Sequence, residues 1–359
     1  MNVFTGVMLV FAIAGFADKI FGFRWGLTDS FDKGLMTMGT MVVPIVGVCT
    51  IGVEFIERHA AVIPGITDAL VFDPSLIAGA VLAPDLGGYF IARELAATPE
   101  LLIINGVVLG TLLGQAVCFQ LPVFLSVLGK EHRPLMLKGF LVGITVIPAG
   151  MLAAEAILRM NFILFLKQFV PVLAACLLVA LGLYKVPDIM VKGFMIVGKI
   201  IQLATNLMFA AAVLGMFVPR LRYASMESVE GALLIVFKSA IIISGALVMS
   251  ELILKLFGDL IQKAADRLGT NKVSVVCMLM NCATSLAILP LFDKMDDRGR
   301  KMNCAFSISG AYVIGGSMAF VSAVSSGYVV LIFFVSKLVS GLLSMYIMYR
   351  MDRRDSRSC

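Results

Sequence analysis

Charge is scarce in this chain. Asp, Glu, Lys and Arg make up only 14% of its 359 residues, too little to cover a soluble globule of that length. Histidine is scarcer still. The two present, His59 and His132, stand beside other charges between apolar runs, which excludes a His-based catalytic triad and a Cys/His zinc site. The seven cysteines show no CxxC spacing and lie mostly inside apolar stretches, so they read as small packing residues rather than a disulfide framework or metal ligands. No Walker sequence, HExxH or GxSxG occurs in a suitable context, and no GxGxxG follows a strand, so no motif supports an ATP-driven pump or a membrane hydrolase. These absences leave no catalytic residue, no cofactor and no metal to assign. A cleavage site of small residues followed by a long polar domain is also missing, and residues 2–17 are expected to stay as a helix.

What the chain does have is apolar length. Sixty per cent of its residues are apolar, and runs long enough to span a bilayer recur at about 2–17, 34–56, 101–128, 135–158, 162–184, 193–218, 231–257, 302–326 and 328–349. Two further stretches, 74–97 and 272–292, are interrupted by "APDLGG" and "NCATS". The expected fold is an all-α polytopic integral membrane protein. It has about nine spanning helices plus two broken or re-entrant segments, or eleven spans if both cross. Re-entry gathers more of the loop lysines and arginines on the side of the basic tail, residues 350–359, than crossing does, which favours re-entry and a cytoplasmic tail. Lys199, Lys238 and Lys337 fall inside spans and take no part in that reckoning. The net charge of +6 is thereby explained by membrane orientation, with no need for a nucleic-acid partner.

An ungapped shift of 198 residues lays Asp32 on Glu230, Gly47 on Gly245, Asp73 on Asn271, Asn105 on Asn303 and "APDLGG" on "NCATSL". One membrane domain, 1–359, would then hold two repeats, about 32–128 and 230–326, each with an amphipathic piece, at 62–72 and 259–268. With re-entrant broken segments, five crossings separate the repeats and give them opposite orientation, the arrangement of many secondary transporters.

An ionised Asp near the bilayer centre costs about 2.5–3.5 kcal/mol, so Asp85 requires water, a partner or a function to offset it. It is the leading candidate for contact with a cation. Gly87 and Gly88 allow close backbone approach and can offer free N–H groups. The alternative is that Asp85 caps the helix that follows. The second break supplies Asn281, Thr284 and Ser285, neutral partners for an ammonium or a hydroxyl, or else ordinary interhelical hydrogen bonds. Asn105 and Asn303 open the spans after the two breaks and Gln115 lies deeper; lining a cavity and holding helices together are both open to them. Gly315, Gly316 and Ser317 interrupt a further span and read as small-residue packing.

At "LAPDLGGYFIARELA" and again at "MDDRGRKMNCAFSISGAYVIGG" the chain resembles the ethanolamine permease family of ethanolamine-utilisation operons, the EutH family. The resemblance implies a multi-pass protein of the bacterial inner membrane that imports ethanolamine and performs no catalytic step. Its substrate would be ethanolamine or a related small amino alcohol, its surroundings the lipid bilayer, and a homo-oligomer is compatible with it. The substrate-binding set expected is Asp85, Gly87, Gly88, Asn105, Asn281, Thr284, Ser285 and Asn303. Ala283 stands opposite Asp85 in the 198-residue shift, and the lack of a second acid there points to facilitated diffusion. The competing readings are a cation-coupled symporter of a related amine and a non-transporting membrane scaffold.

Overall fold

A computed structural model describes residues 3–23, 25–58 and 71–355. His59, nearly all of the amphipathic piece expected at 62–72 and the last four tail residues lie outside them. The described residues contain no strand. Eight helices are long and apolar enough to cross a membrane: α1 Val3–Phe21, α2 Thr28–Arg58, α3 Pro99–Val127, α4 Arg133–Leu158, α5 Phe162–Lys185, α6 Pro187–Phe217, α7 Met226–Leu256 and α8 Gly327–Arg354. Side chains close the starts of several of them, since unpaired backbone groups are costly where water is absent. Asn161 Oδ1 accepts from the amides of Ile163 and Leu164 at the start of α5. Ser225 Oγ accepts from Ser228 N at 3.1 Å at the start of α7. The buried Asp18 carboxylate accepts from Trp25 N at 2.9 Å and Leu27 N at 2.8 Å, closing the turn into α2.

Of these helices, α3 is the most enclosed and α6 the least, with Ile200, Leu203 and Leu207 facing outward. In α3, Leu102–Gly114 and Ala116–Gln120 take the wider π pitch, a form that recurs near functional sites. Gly114 on this helix leaves room for a neighbouring backbone: a Cβ there would collide with the carbonyl oxygens of Gly79 and Leu82.

Three segments are broken. The first comprises helix Ser75–Val81, a 3-10 turn Pro84–Leu86 and helix Gly88–Leu95. Gly87 joins its last two pieces with φ 95°, a left-handed conformation suited to glycine. The second is Lys272–Ala283, an extended Thr284, and 3-10 helix Ser285–Lys294. The third corrects the expectation of one continuous span at 302–326: helix Asp297–Ser309 stops, and Gly316–Val324 resumes after a non-helical stretch. Hydropathy cannot register this break because "GAYVIGG" is apolar throughout. Its glycines are nonetheless poor helix formers, and Tyr312 turns left-handed with φ 63°. The backbone groups freed there are recovered across the second break, where Tyr312 N donates to Asn281 O at 3.2 Å and Ile314 N to Cys282 O at 3.0 Å.

Contacts between loops determine which segments cross. Lys255 Nζ donates to Trp25 O and Gly26 O, both at 3.0 Å. Arg58 Nη2 donates to Tyr223 O at 3.0 Å, and His132 Nε2 lies 2.7 Å from Asp293 Oδ1. At the chain's end, Arg298 and Lys301 both bond to Asp352. With one crossing per long helix, each pair shares a side only if the first two broken segments re-enter and the third crosses, for nine crossings in all. Cysteines introduced at Arg58 and Lys263 are therefore expected to react with an impermeant maleimide from opposite sides of oriented vesicles. Labelling of both from one side would refute re-entry.

On the face carrying Asp293, Asp296 ties the base of the second segment to the third. It accepts from Ser274 Oγ at 2.7 Å, from Asn271 N at 3.3 Å and from the Thr270 hydroxyl. Burial opposes its charge, but the bonds from Thr270 and Ser274 prevail and hold the carboxyl below the usual carboxylate range.

Candidate functional site

The first and third breaks and the second segment's extended residue meet beside α2, α3 and α7 around a cavity of about 250 Å³. Its polar lining comes from Thr37, Thr40, Asp85, Gln115, Thr284 and Tyr312, and its apolar walls include Phe119 and Leu247. Asp85 reaches it from the 3-10 turn Pro84–Leu86, where Pro84 fixes the entry and Gly87 the exit. One carboxylate oxygen, Oδ1, is buried and has no hydrogen-bond partner among the described residues. The helix beginning at Gly88 receives no side-chain cap, so the capping alternative for Asp85 is not realised. Nor are the amides of Gly87 and Gly88 free, because the turn closes on itself: Gly87 N donates to Pro84 O at 3.2 Å and Gly88 N to Ala83 O at 3.0 Å.

A second charge lies beside this cavity. Lys337, fully buried midway along α8, donates from Nζ to Gln115 Oε1 at 3.1 Å and to Ala311 O at 2.7 Å. The Ala311 carbonyl sits in the third break, so the interruption itself supplies an acceptor for the ammonium. Gln115 Oε1 also accepts from Ser317 Oγ at 3.1 Å, and Ser285 Oγ donates to the Tyr312 hydroxyl at 2.9 Å. Asp85 and Lys337 are near enough for their charges, when both are ionised, to act on one another.

The sequence-predicted residues thus divide. Asp85 and Thr284 line the cavity, and Ser285 touches its wall through Tyr312. The three asparagines lie elsewhere. Asn105 Nδ2 donates to Ser75 Oγ at 2.9 Å and Gln168 Oε1 at 3.3 Å. Asn281 Nδ2 donates to Asn303 O at 3.1 Å and Ser307 Oγ at 2.8 Å. Asn303 Nδ2 donates to Ser274 O and Gly299 O, both at 3.0 Å. Each also keeps a buried Oδ1 without a partner among the described residues, but none lines the cavity that Asp85 faces. Sequence reasoning assigned no role to Lys337 or Tyr312. A lone lysine in the span 328–349 was the available signal for the first, and the glycines flanking Tyr312 were the signal for the second.

A helical bundle crossing nine times, with two re-entrant tips and a crossing break around a mostly apolar cavity that Asp85 faces, is a multi-pass membrane protein. The chain belongs to the EutH family: the family model "Ethanolamine utilisation protein, EutH" matches residues 1–351. A relative from Listeria monocytogenes, "Probable ethanolamine permease EutH", is 30% identical over 97% of this chain and 94% of its own length. A Salmonella typhimurium protein of the same name is 27% identical, covering 92% of this chain and 86% of itself. "Uncharacterized protein YxeR" of Bacillus subtilis is 28% identical over 88% and 85% of the two chains. No solved structure matches the chain.

Proposed function

We propose that this protein carries ethanolamine, as the protonated amino alcohol, across the bacterial inner membrane, with its basic tail in the cytoplasm and no chemical conversion. The names of its relatives and its membership of the family support the substrate class. The observation that carries the reading is the unpartnered Asp85 Oδ1 at a cavity whose other polar walls are neutral. A carboxylate replaces part of an ammonium's hydration by charge-assisted hydrogen bonds, while Thr284 and Tyr312 can exchange bonds with a hydroxyl. Asn281 and Asn303 act at one remove, holding the second segment against the third; Asn105 does the same for the first segment. Gly87 and Gly88 shape the turn that presents Asp85.

The inverted repeat is part of this proposal. Asp73 Oδ1 accepts from Ser75 N at 3.0 Å and Asn271 Oδ1 from Ser274 N at 2.9 Å, so residues 198 apart cap equivalent helices. Asn105 and Asn303, at the same offset, each bond to the first turn of those helices.

Uptake of labelled ethanolamine into proteoliposomes, measured above protein-free liposomes, tests the reading. Saturable uptake is expected, with propanolamine competing and zwitterionic amino acids not, because their carboxylate would approach Asp85. Uptake equal to the protein-free control would dismiss the carrier and leave the scaffold.

A further inference from the structure

The site holds two ionisable groups of opposite sign before any substrate arrives. With Asp85 as carboxylate and Lys337 as ammonium, the two charges cancel and the empty site carries no net interior charge. Admitting a substrate ammonium beside both would leave one uncompensated positive charge in a cavity enclosed by apolar helices, which is costly. The geometry shows how that excess is avoided. Lys337 does not line the cavity; it stands behind Gln115, which does, and its ammonium is held by two neutral acceptors and the field of Asp85. A cation that takes Asp85 for itself removes the one anion that favours Lys337 being charged.

We propose, building on the carrier function above, that Lys337 is the charge-compensating residue of transport: its proton and the substrate ammonium occupy the field of Asp85 alternately. On substrate entry the Nζ–H bond breaks heterolytically, the electron pair stays on nitrogen, and the proton leaves through cavity water to the side on which the site is open. After substrate release on the other side, Nζ takes a proton from water there. One organic ammonium moves inward for each proton moved outward, and both the loaded and the empty core are neutral. Lysine suits this role because its charge yields readily when desolvated, whereas arginine retains its proton.

Other titratable groups are poorly placed for the task. Tyr312 faces the cavity from the third break, and Cys118 lies beside Asp85 on α3, where its sulfur accepts from Ala83 N at 3.2 Å. On the helices packed against α8, Glu155 belongs to the end of α4 near Tyr328, whose hydroxyl donates to Ile157 O at 2.9 Å. Arg133 and Lys138 lie toward the opposite end of α4. Arg298 and Lys301 are engaged with Asp352 at that same end of α8, Asp297 and Arg300 pair with one another, and Cys304 faces Gly139. Facilitated diffusion was expected because Ala283 lies opposite Asp85; Lys337 supplies the second ionisable group from a helix outside both repeats.

The test compares wild type with Lys337→Met in proteoliposomes, with and without an inside-negative potassium diffusion potential. Wild-type uptake is expected to change less than twofold with potential. Lys337→Met should convert uptake to a uniport whose equilibrium accumulation rises about tenfold for each 59 mV, as for any single charge. Lys337→Arg, scored for folding by monodisperse elution, is expected to lose uptake more than tenfold because its charge cannot leave. Wild-type accumulation that follows the potential would overturn the proposal while leaving the carrier intact. So would a Lys337→Met variant whose uptake, even if slower, ignores it, the result a purely structural lysine or carriage of the neutral amine gives. If Lys337→Met does not fold, the Arg variant and the wild-type voltage test decide. Wild-type uptake no greater than that of protein-free liposomes would instead strike at the carrier reading itself.

Discussion

Asp85→Asn is expected to abolish saturable ethanolamine uptake. The amide keeps the shape of the side chain but removes the negative charge, and hydrogen bonds to charged partners contribute about 1.5–3 kcal/mol, a loss of roughly ten- to more than a hundredfold in binding. A second cost falls on the protein itself, because Lys337 remains buried beside the cavity with only Gln115 and the Ala311 carbonyl as partners. Breaking one half of a buried charge pair costs up to about 3–5 kcal/mol, and less where, as for Lys337 here, the orphaned amine can shed its proton. The single variant should therefore unfold at lower temperature as well as fail to transport. Adding Lys337→Met removes the orphaned amine, so the double variant should regain most of the thermal stability while staying inactive. Uptake by Asp85→Asn at wild-type rates would exclude Asp85 from the substrate site, and no rescue of stability in the double variant would show that the two charges are not energetically linked.

Gly315→Val should have the next largest effect, on folding. A Cβ at Gly315 would run into the carbonyl of Ala283. To relieve that clash the third break must draw away from the second, losing the bonds from Tyr312 N to Asn281 O and from Ile314 N to Cys282 O. Overpacking costs about 1–3 kcal/mol, and two backbone groups left unpaired away from water add to it. Detergent-solubilised protein should show a sharply lower unfolding temperature or fail to accumulate. The neighbouring Gly316→Ala is the control: the nearest atom to its new Cβ is a Tyr312 ring carbon at 3.5 Å, ordinary contact, and stability should change little. Equal damage from both variants would mean that the close approach at Gly315 is not what makes the position sensitive.

Much of this architecture could be read in the sequence, and the limits have physical causes. Apolar length marks helices directly, so α1 to α8 were legible. Pro84 with Gly87 and Gly88 announced the first break because proline and glycine act locally on the backbone. Of the third break only the interruption at Gly315 to Ser317 was legible, and it was read as packing; the rest escaped because a hydropathy scan weighs side-chain polarity, and Tyr312, Val313 and Ile314 do not lower it enough to mark a break. Asp85 was legible as an unpaired charge in an apolar run. Lys337 was equally visible, but its importance depends on which helix face meets Gln115, more than two hundred residues away in the chain, and that is a tertiary fact. Asn281 and Asn303 show the converse. Their polarity in apolar surroundings suggested substrate contact, and their partners turned out to be neighbouring backbone and a serine.

The two backbone bonds that join Asn281 and Cys282 to Tyr312 and Ile314 also have a mechanical meaning. They act as a splint across the two breaks, so the tip of the re-entrant segment and the bend of the crossing span move as one body. Thr284 and Tyr312, both carried on that body, keep their mutual spacing whichever mouth of the cavity opens. On the carrier reading proposed above, access would alternate by displacement of this splinted unit against α2, α3 and the turn bearing Asp85, with the carboxylate on the other side of the joint.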